Sequence, residues 1–182
     1  MNVPGKTLLT LATTSVGLTA GVFFDWRVTV MPGLGHLPDA EFIDAFQALD
    51  RAIMNPLFIG GAFIGGAASL VAATAAHRRE RGRFRLLAAA SAVYVLGVVG
   101  VTMAGNVPLN EKLAGVAAAT ASGAELAAAR SGFEAPWNRL HLVRTGAALC
   151  SLVLAGLAMT TRDEQSRGGR ATVGAARRTV AV

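Results

Sequence analysis

The sequence predicts an all-α protein, an integral membrane four-helix bundle with an amphipathic surface helix between helices 1 and 2. Three observations carry this. Apolar residues make up 53% of the 182 residues and charged residues 15%. The charges are clustered, so that no Lys, Arg, Asp, Glu or His occurs in residues 7–24, 52–76, 86–110 or 145–161. A helix needs roughly 20 apolar residues to cross the hydrocarbon core. Three stretches approach or exceed that length, and the fourth reaches it if its helix begins near Asn138.

Helix 1 is expected over about 6–30. Its charged lead-in holds only Lys6, and its apolar run continues through Val22, Phe23 and Phe24 past any small-residue cleavage site. It therefore reads as an uncleaved first helix rather than a signal peptide. An amphipathic helix over about 39–54 follows. Phe42, Ala45, Phe46, Leu49 and Ile53 recur at helical spacing with acids between them, and Asp39 after Pro38 is a plausible N-cap. Such a helix lies on the outer membrane surface or over the bundle mouth. Asn55-Pro56 then ends it and caps helix 2, expected at about 56–76. Helix 3 is expected at about 85–106. Ser122 and Glu125 have capping-box spacing and suggest a short surface helix before helix 4, at about 138–161. Pairs of small residues four apart, Gly17/Gly21, Gly61/Gly65 and Gly100/Ala104, are built for close helix packing. Self-association into a homo-oligomer is open to the same faces.

The formal charge of +6 is explained by topology. Five arginines lie in HRRERGRFR between helices 2 and 3, five more lie in the tail 162–182, and Lys6 precedes helix 1, which makes 11 of the 17 Lys and Arg. The linkers on the opposite side carry most of the acids. Positive residues favour the cytoplasmic face, so both termini are placed in the cytoplasm and the protein in the cell membrane. Aromatic and basic residues are not interleaved as in single-strand binders, so no nucleic-acid partner is expected. The basic tail reads as disordered, with the lipid bilayer as its partner. The single cysteine, Cys150, lies inside helix 4 and forms no intrachain disulfide. His36 lies in a Gly/Pro-rich loop and His77 in the basic loop, where solvation is expected. No Cys/His spacing resembles a metal site, and none is expected.

The unusual polar residues all fall at one end of the bundle. Asp25, Trp26 and Arg27 end helix 1, and Asn55 begins helix 2. Asn106 and Asn110 end helix 3 one turn apart. Trp137, Asn138, His141, Arg144 and Thr145 begin helix 4. Spacings of four, then three or four, put Trp137, His141 and Arg144 or Thr145 on one face. Ionisable residues inside membrane helices are costly and tend to serve function, whereas Arg27 and Arg139 read as interfacial anchors or ion-pair partners.

Four stretches, AGVFFDWRVTVMPGL, ALDRAIMNPLF, GVTMAGNVPLNEKL and WNRLHLVRT, resemble the family of small four-helix membrane proteins that includes the anthrone oxygenases of aromatic polyketide pathways. The resemblance covers about residues 7–161. The family's WNHVRT-like run matches Val143, Arg144 and Thr145, with Leu140, His141 and Leu142 as departures. Asn106, Asn110 and Arg144 carry over as motif residues; a catalytic His141 does not. The resemblance implies a cofactor-independent membrane oxygenase acting on an apolar aromatic substrate and dioxygen. Such a reaction needs a base, an oxyanion partner and a water-poor pocket. His141 or Asp25 is the candidate base, with Arg144, Asn106 and Asn110 as oxyanion partners. Trp137 or Trp26 would lie against the rings, with Thr145 and Asn55 as further substrate contacts. The alternative is a non-catalytic membrane protein that binds a lipid or other apolar ligand, or serves an assembly.

Overall fold

A computed structural model describes residues 3–161, and the tail expected to be disordered lies outside them. Five helices follow in order: α1 (Gly5–Gly35), α3 (Leu57–Ala76), α4 (Arg81–Ala114) and α5 (Gly123–Thr160) are each long and apolar enough to cross a membrane, and α2 (Asp39–Ile53) lies between the first two. No strand occurs among the described residues. The fold is the expected all-α membrane bundle.

The four long helices close a ring: α1 packs on α3 and α5, and α4 packs on α3 and α5. Along α1, Leu9, Ala12, Val16, Ala20 and Phe23 recur every three or four residues and are buried, as are Leu87, Ala90, Tyr94 and Val98 on α4 and Ala148, Ala155 and Ala158 on α5. This is the seam spacing of packed helices. Small residues dominate it, because lipid offers no hydrophobic drive and close backbone approach must supply contact. Of the expected glycines, Gly17 meets another helix, with Leu152 of α5 3.7 Å from an added Cβ, but the closest approaches are made elsewhere. A Cβ would lie 2.9 Å from the Tyr94 hydroxyl at Gly66, 2.6 Å from Ala147 Cβ at Gly97 and 2.7 Å from Leu140 at Gly105. By contrast, Gly21 faces open space, and at Gly61 and Gly100 the nearest atoms belong to their own helix. Spacing alone left open which side of each helix met a partner.

Core hydroxyls are paired. Ser151 donates to the Ala90 carbonyl at 2.9 Å, and the Tyr94 hydroxyl lies 3.0 Å from the Phe63 carbonyl and 3.1 Å from Thr19 Oγ1. At the arginine-loop end, buried Arg83 donates to the carbonyls of Ala158 and Thr161 and pairs with Glu80, covering the last turn of α5. His77, expected to be solvated, is 1% exposed, with Nδ1 2.8 Å from the Ala73 carbonyl.

A second apolar cluster, including Met31, Phe42, Ile43, Phe46, Leu113, Phe133 and Trp137, forms the opposite end. There α2 lies over the bundle mouth, packed on α5, α4 and the end of α1. Arg130 clamps it: the guanidinium donates to Asp39, Glu134 and the carbonyls of Leu37 and Gly35, and stands 4.5 Å from the Phe42 ring centre. Gln47 adds bonds to the carbonyls of Leu113 and Val116. Asp39 is thus a partner of Arg130; Pro38 holds the N-cap position, without a side-chain cap.

Helix bounds depart from expectation mainly at this end. α1 continues to Gly35 rather than about residue 30, and α4 spans Arg81–Ala114 rather than about 85–106. α5 begins at Gly123, not near Asn138, with the Ser122–Glu125 capping box as its start and Pro136 inside it. The expected short surface helix is therefore its first turns, extended to form the wall on which α2 rests.

Candidate functional site

The helices lose regularity where the two apolar clusters meet. Wide π-type turns occupy Trp26–Val30 on α1, Leu57–Ile64 on α3, and Tyr94–Gly100 and Thr102–Asn106 on α4. α5 carries Pro136 at that level, which leaves the Gly132 carbonyl without its helical donor. Such turns add a residue to a helical circuit and recur at functional sites. Those on α1 and α3 and the Thr102–Asn106 turn of α4 give wall residues to a cavity of about 550 Å³, a figure that counts the open solvent at its mouth, whereas Tyr94–Gly100 gives it none. Its walls are mostly aromatic and aliphatic: Phe23, Trp26, Phe46, Ile53, Met54, Phe58, Ile59, Phe63, Val107 and Trp137. The polar wall residues are Asp50, Thr102, Asn110 and Arg144.

Arg144 is the centre of the polar wall. Its side chain is buried, and its guanidinium carbon lies 4.4 Å from the Phe23 ring centre and 5.1 Å from that of Trp137. Nε donates to His141 Nδ1 at 3.0 Å and Nη1 to Thr102 Oγ1 at 3.3 Å. Guanidinium has no acceptor, so His141 Nδ1 must be the unprotonated nitrogen. The proton then sits on Nε2, which donates to the Phe23 carbonyl at 2.9 Å. The ring stacks on Trp137 at 4.6 Å and 13°. His141 is fully buried, has both nitrogens engaged, and stands behind Arg144 rather than on the cavity wall.

Asn110 is equally committed. Its Oδ1 accepts from Trp137 Nε1 at 2.8 Å, and its Nδ2 donates to Asp50 Oδ1 at 2.7 Å. The Trp137–Asn110–Asp50 chain thereby joins α5, α4 and α2 and presents the Asp50 carboxyl to the cavity. Burial holds that carboxyl above its ordinary value, against the lowering effects of the Asn110 bond and the Arg144 and Arg51 charges. Among the described residues no ion pair within 4.0 Å joins Asp50 to Arg144. An acid and a cation therefore face one apolar cavity without neutralising each other by contact.

Of the residues singled out in the sequence, Arg144, Asn110, Trp137 and Trp26 reach the cavity. Asn106 is buried beside it. Its Nδ2 donates to the Trp137 carbonyl at 3.3 Å, and its Oδ1 is buried without a partner. Thr145 spends its hydroxyl on the His141 carbonyl at 2.7 Å. Asn55 is exposed and off the cavity wall. It caps α3 through the Phe58 N–H at 2.9 Å and returns a bond to the Ala52 carbonyl on α2. Asp25 is exposed and does not line the cavity.

Asp50 and Thr102 were not among those candidates. Asp50 follows Ile43 and Phe46 by seven and four residues and precedes Ile53 by three, so it lies on the apolar face of α2, a signal that was present in the spacing. Thr102 precedes Asn106 and Asn110 at intervals of four.

No curated protein and no solved structure matches the chain. A family model described as Anthrone oxygenase matches residues 52–154, more than half of the sequence and a span that takes in Thr102, Asn106, Asn110, Trp137, His141 and Arg144. Three of the four polar wall residues, Thr102, Asn110 and Arg144, fall in that span and Asp50 lies just before it, and the match shows that this chain belongs to the anthrone oxygenase family.

Proposed function

We propose that the cavity oxygenates an anthrone-type substrate, an apolar aromatic ketone of the kind made in aromatic polyketide pathways, by direct reaction with dioxygen and without a redox cofactor. The observation that carries this is the placement of Asp50 and Arg144 on one aromatic cavity without a direct ion pair.

Asp50 takes a proton from the ring methylene, and the electron pair left behind delocalises onto the ketone oxygen. Arg144 faces that oxygen, held there by His141 and Thr102. A preorganised cation at the site of developing charge lowers the barrier most where water is excluded. Dioxygen then adds at the deprotonated carbon, and the peroxide anion recovers the proton from Asp50. Removal of the second ring proton by Asp50 breaks the O–O bond, giving the quinone and, once that proton is returned, water. One oxygen atom ends in the carbonyl and one in water, so no outside reductant is needed. Asn110 positions Asp50, and Trp26 and Trp137 flank the rings. Asn106 stays behind the wall as a support for the Trp137 backbone.

The arginine-loop end is assigned to the cytoplasmic side of a cell membrane, since positive loops favour that side. The cavity then opens towards the outer leaflet. Association into homo-oligomers is a further property we assign to the small-residue faces.

The test is oxygen-dependent quinone formation by protein in proteoliposomes, measured above the spontaneous rate of the anthrone. Arg144→Ala is expected to lose about 10²–10³-fold in kcat, the usual effect of removing one oxyanion partner. Equal rates for the wild-type and variant proteins would sink the enzymatic reading and leave a membrane protein that binds an apolar ligand.

A further inference from the structure

We infer that the substrate reaches the cavity sideways from the lipid, through a mouth at Met54 between the ends of α3 and α4, and not from the water beyond α2. This rests on the cavity being the substrate site.

Several observations place the mouth. Of the wall residues, Met54 is the most exposed, at 67%. It sits where α2 ends and α3 begins, so its depth is that of the lipid interface. Partly buried Phe58, Ile59 and Val107 continue the rim inward. Leu57, three residues after Met54, and Met103, next to the wall residue Thr102 in the chain, are 83% and 58% exposed. Both are apolar and belong to membrane-crossing helices. Large apolar side chains this exposed face hydrocarbon, not water. The aqueous side, in contrast, is covered by α2. α2 lies across it with Phe42 and Phe46 buried. Below that helix, Trp26, Phe46 and Trp137 stand 5.4–5.8 Å apart in a closed triangle of rings. Arg130 and Gln47 pin the helix in place.

The polarity gradient sets the orientation of the guest. Met54, Phe58, Ile59 and Val107 at the mouth are apolar, while Arg144, the anion partner, is buried beyond them. An aromatic ketone dissolved at the interface therefore goes in oxygen first and leaves its apolar edge at Met54 and Phe58. The ligand class is a membrane-partitioned flat polycycle whose oxygen lies at one edge. Water-soluble aromatics with charged groups on the opposite edge are disfavoured.

Both tryptophans of the chain, Trp26 and Trp137, line the cavity, so their fluorescence reports occupancy without turnover. The probe is 9,10-anthraquinone, a tricycle with no ring methylene to deprotonate, delivered to protein in lipid nanodiscs. Val107→Phe narrows the rim and is expected to slow quenching at least tenfold, with an equal fall in kcat/KM for an anthrone. Met54→Arg puts a charge in the mouth at an exposed position that folding tolerates, and is expected to slow it similarly. If wild-type protein is quenched and active while both variants associate at the wild-type rate, lateral access is overturned and the oxygenase reading stands. If anthraquinone fails to quench the wild-type protein, the cavity is not the binding site, and both ideas fall together.

Discussion

At the arginine-loop end the four long helices meet through Ala12, Ala73, Ala90 and Ala155, each fully buried, and Arg83 covers the final carbonyls of α5. At the capped end the same helices meet through Phe23, Phe63 and Trp137, with Phe46 contributed by α2. Their turns widen there, and a proline interrupts the fourth. Small side chains bring backbones together and leave no room. Large rings on widened turns hold the backbones apart and leave a cavity. The difference shows how one bundle combines a rigid base with a site: close packing at one end fixes the helices, so the other end can carry irregular backbone and a buried cation.

Four substitutions would break or sharpen that contrast. The largest effect is expected from Asp50→Asn, which removes the proposed base and should lower kcat by about 10²–10⁴-fold, as read by quinone formation. The base acts as a carboxylate, and burial raises its pKa in the folded protein. Wild-type activity should therefore rise with pH through a midpoint above the ordinary 3.8 of aspartate and fall below that midpoint. The variant should lack this limb. Arg83→Ala probes the opposite end. Losing charged hydrogen bonds to the Ala158 and Thr161 carbonyls should cost about 1.5–3 kcal/mol of stability in thermal unfolding, with turnover per folded molecule preserved.

His141→Asn keeps an acceptor for Arg144 but loses the stack on Trp137 and the bond to Phe23. A fall of about tenfold in kcat is expected, near 1.4 kcal/mol. A loss beyond a thousandfold would return His141 to the role of base. The smallest effect belongs to Asn55→Ala. Deleting the double cap should lower stability by about 1 kcal/mol and leave turnover as it was. A rise in KM would show that Asn55 reaches the substrate after all.

The crossings were legible because a run of apolar residues free of charge has no other economical placement. The Arg144 face was legible too, since Trp137, His141 and Arg144 stand at α-helical intervals on a regular part of α5. What remained hidden depended on neighbours. The spacing puts Asp50 on the apolar face of α2, but only the Asn110 bond from the α4 end shows that its carboxyl is committed to the cavity. His141 reads as a base by residue type, yet the direction of the Arg144 bond makes it an acceptor on Nδ1 and ties up Nε2. α5 starts fifteen residues before the expected membrane crossing because the Ala-rich stretch before Pro136 carries a helix start, the Ser122–Glu125 capping box, but no hydropathic signal that joins it to the crossing.

The widened turns also bear on how such a chain can change over generations. In an α-helix each residue advances the azimuth by about 100°. A π-type turn is one residue inserted into that cycle, so it re-phases everything beyond it. Deleting one residue within Thr102–Asn106 would restore the ordinary cycle and swing Asn110 away from Asp50, while the stretch stayed as apolar as before. The same holds for Leu57–Ile64, with Phe58 and Met54 falling out of register. Relatives of like hydropathy that are one residue apart in length can therefore differ in whether they possess this site at all. A single-codon gap marks the difference more surely than any substitution.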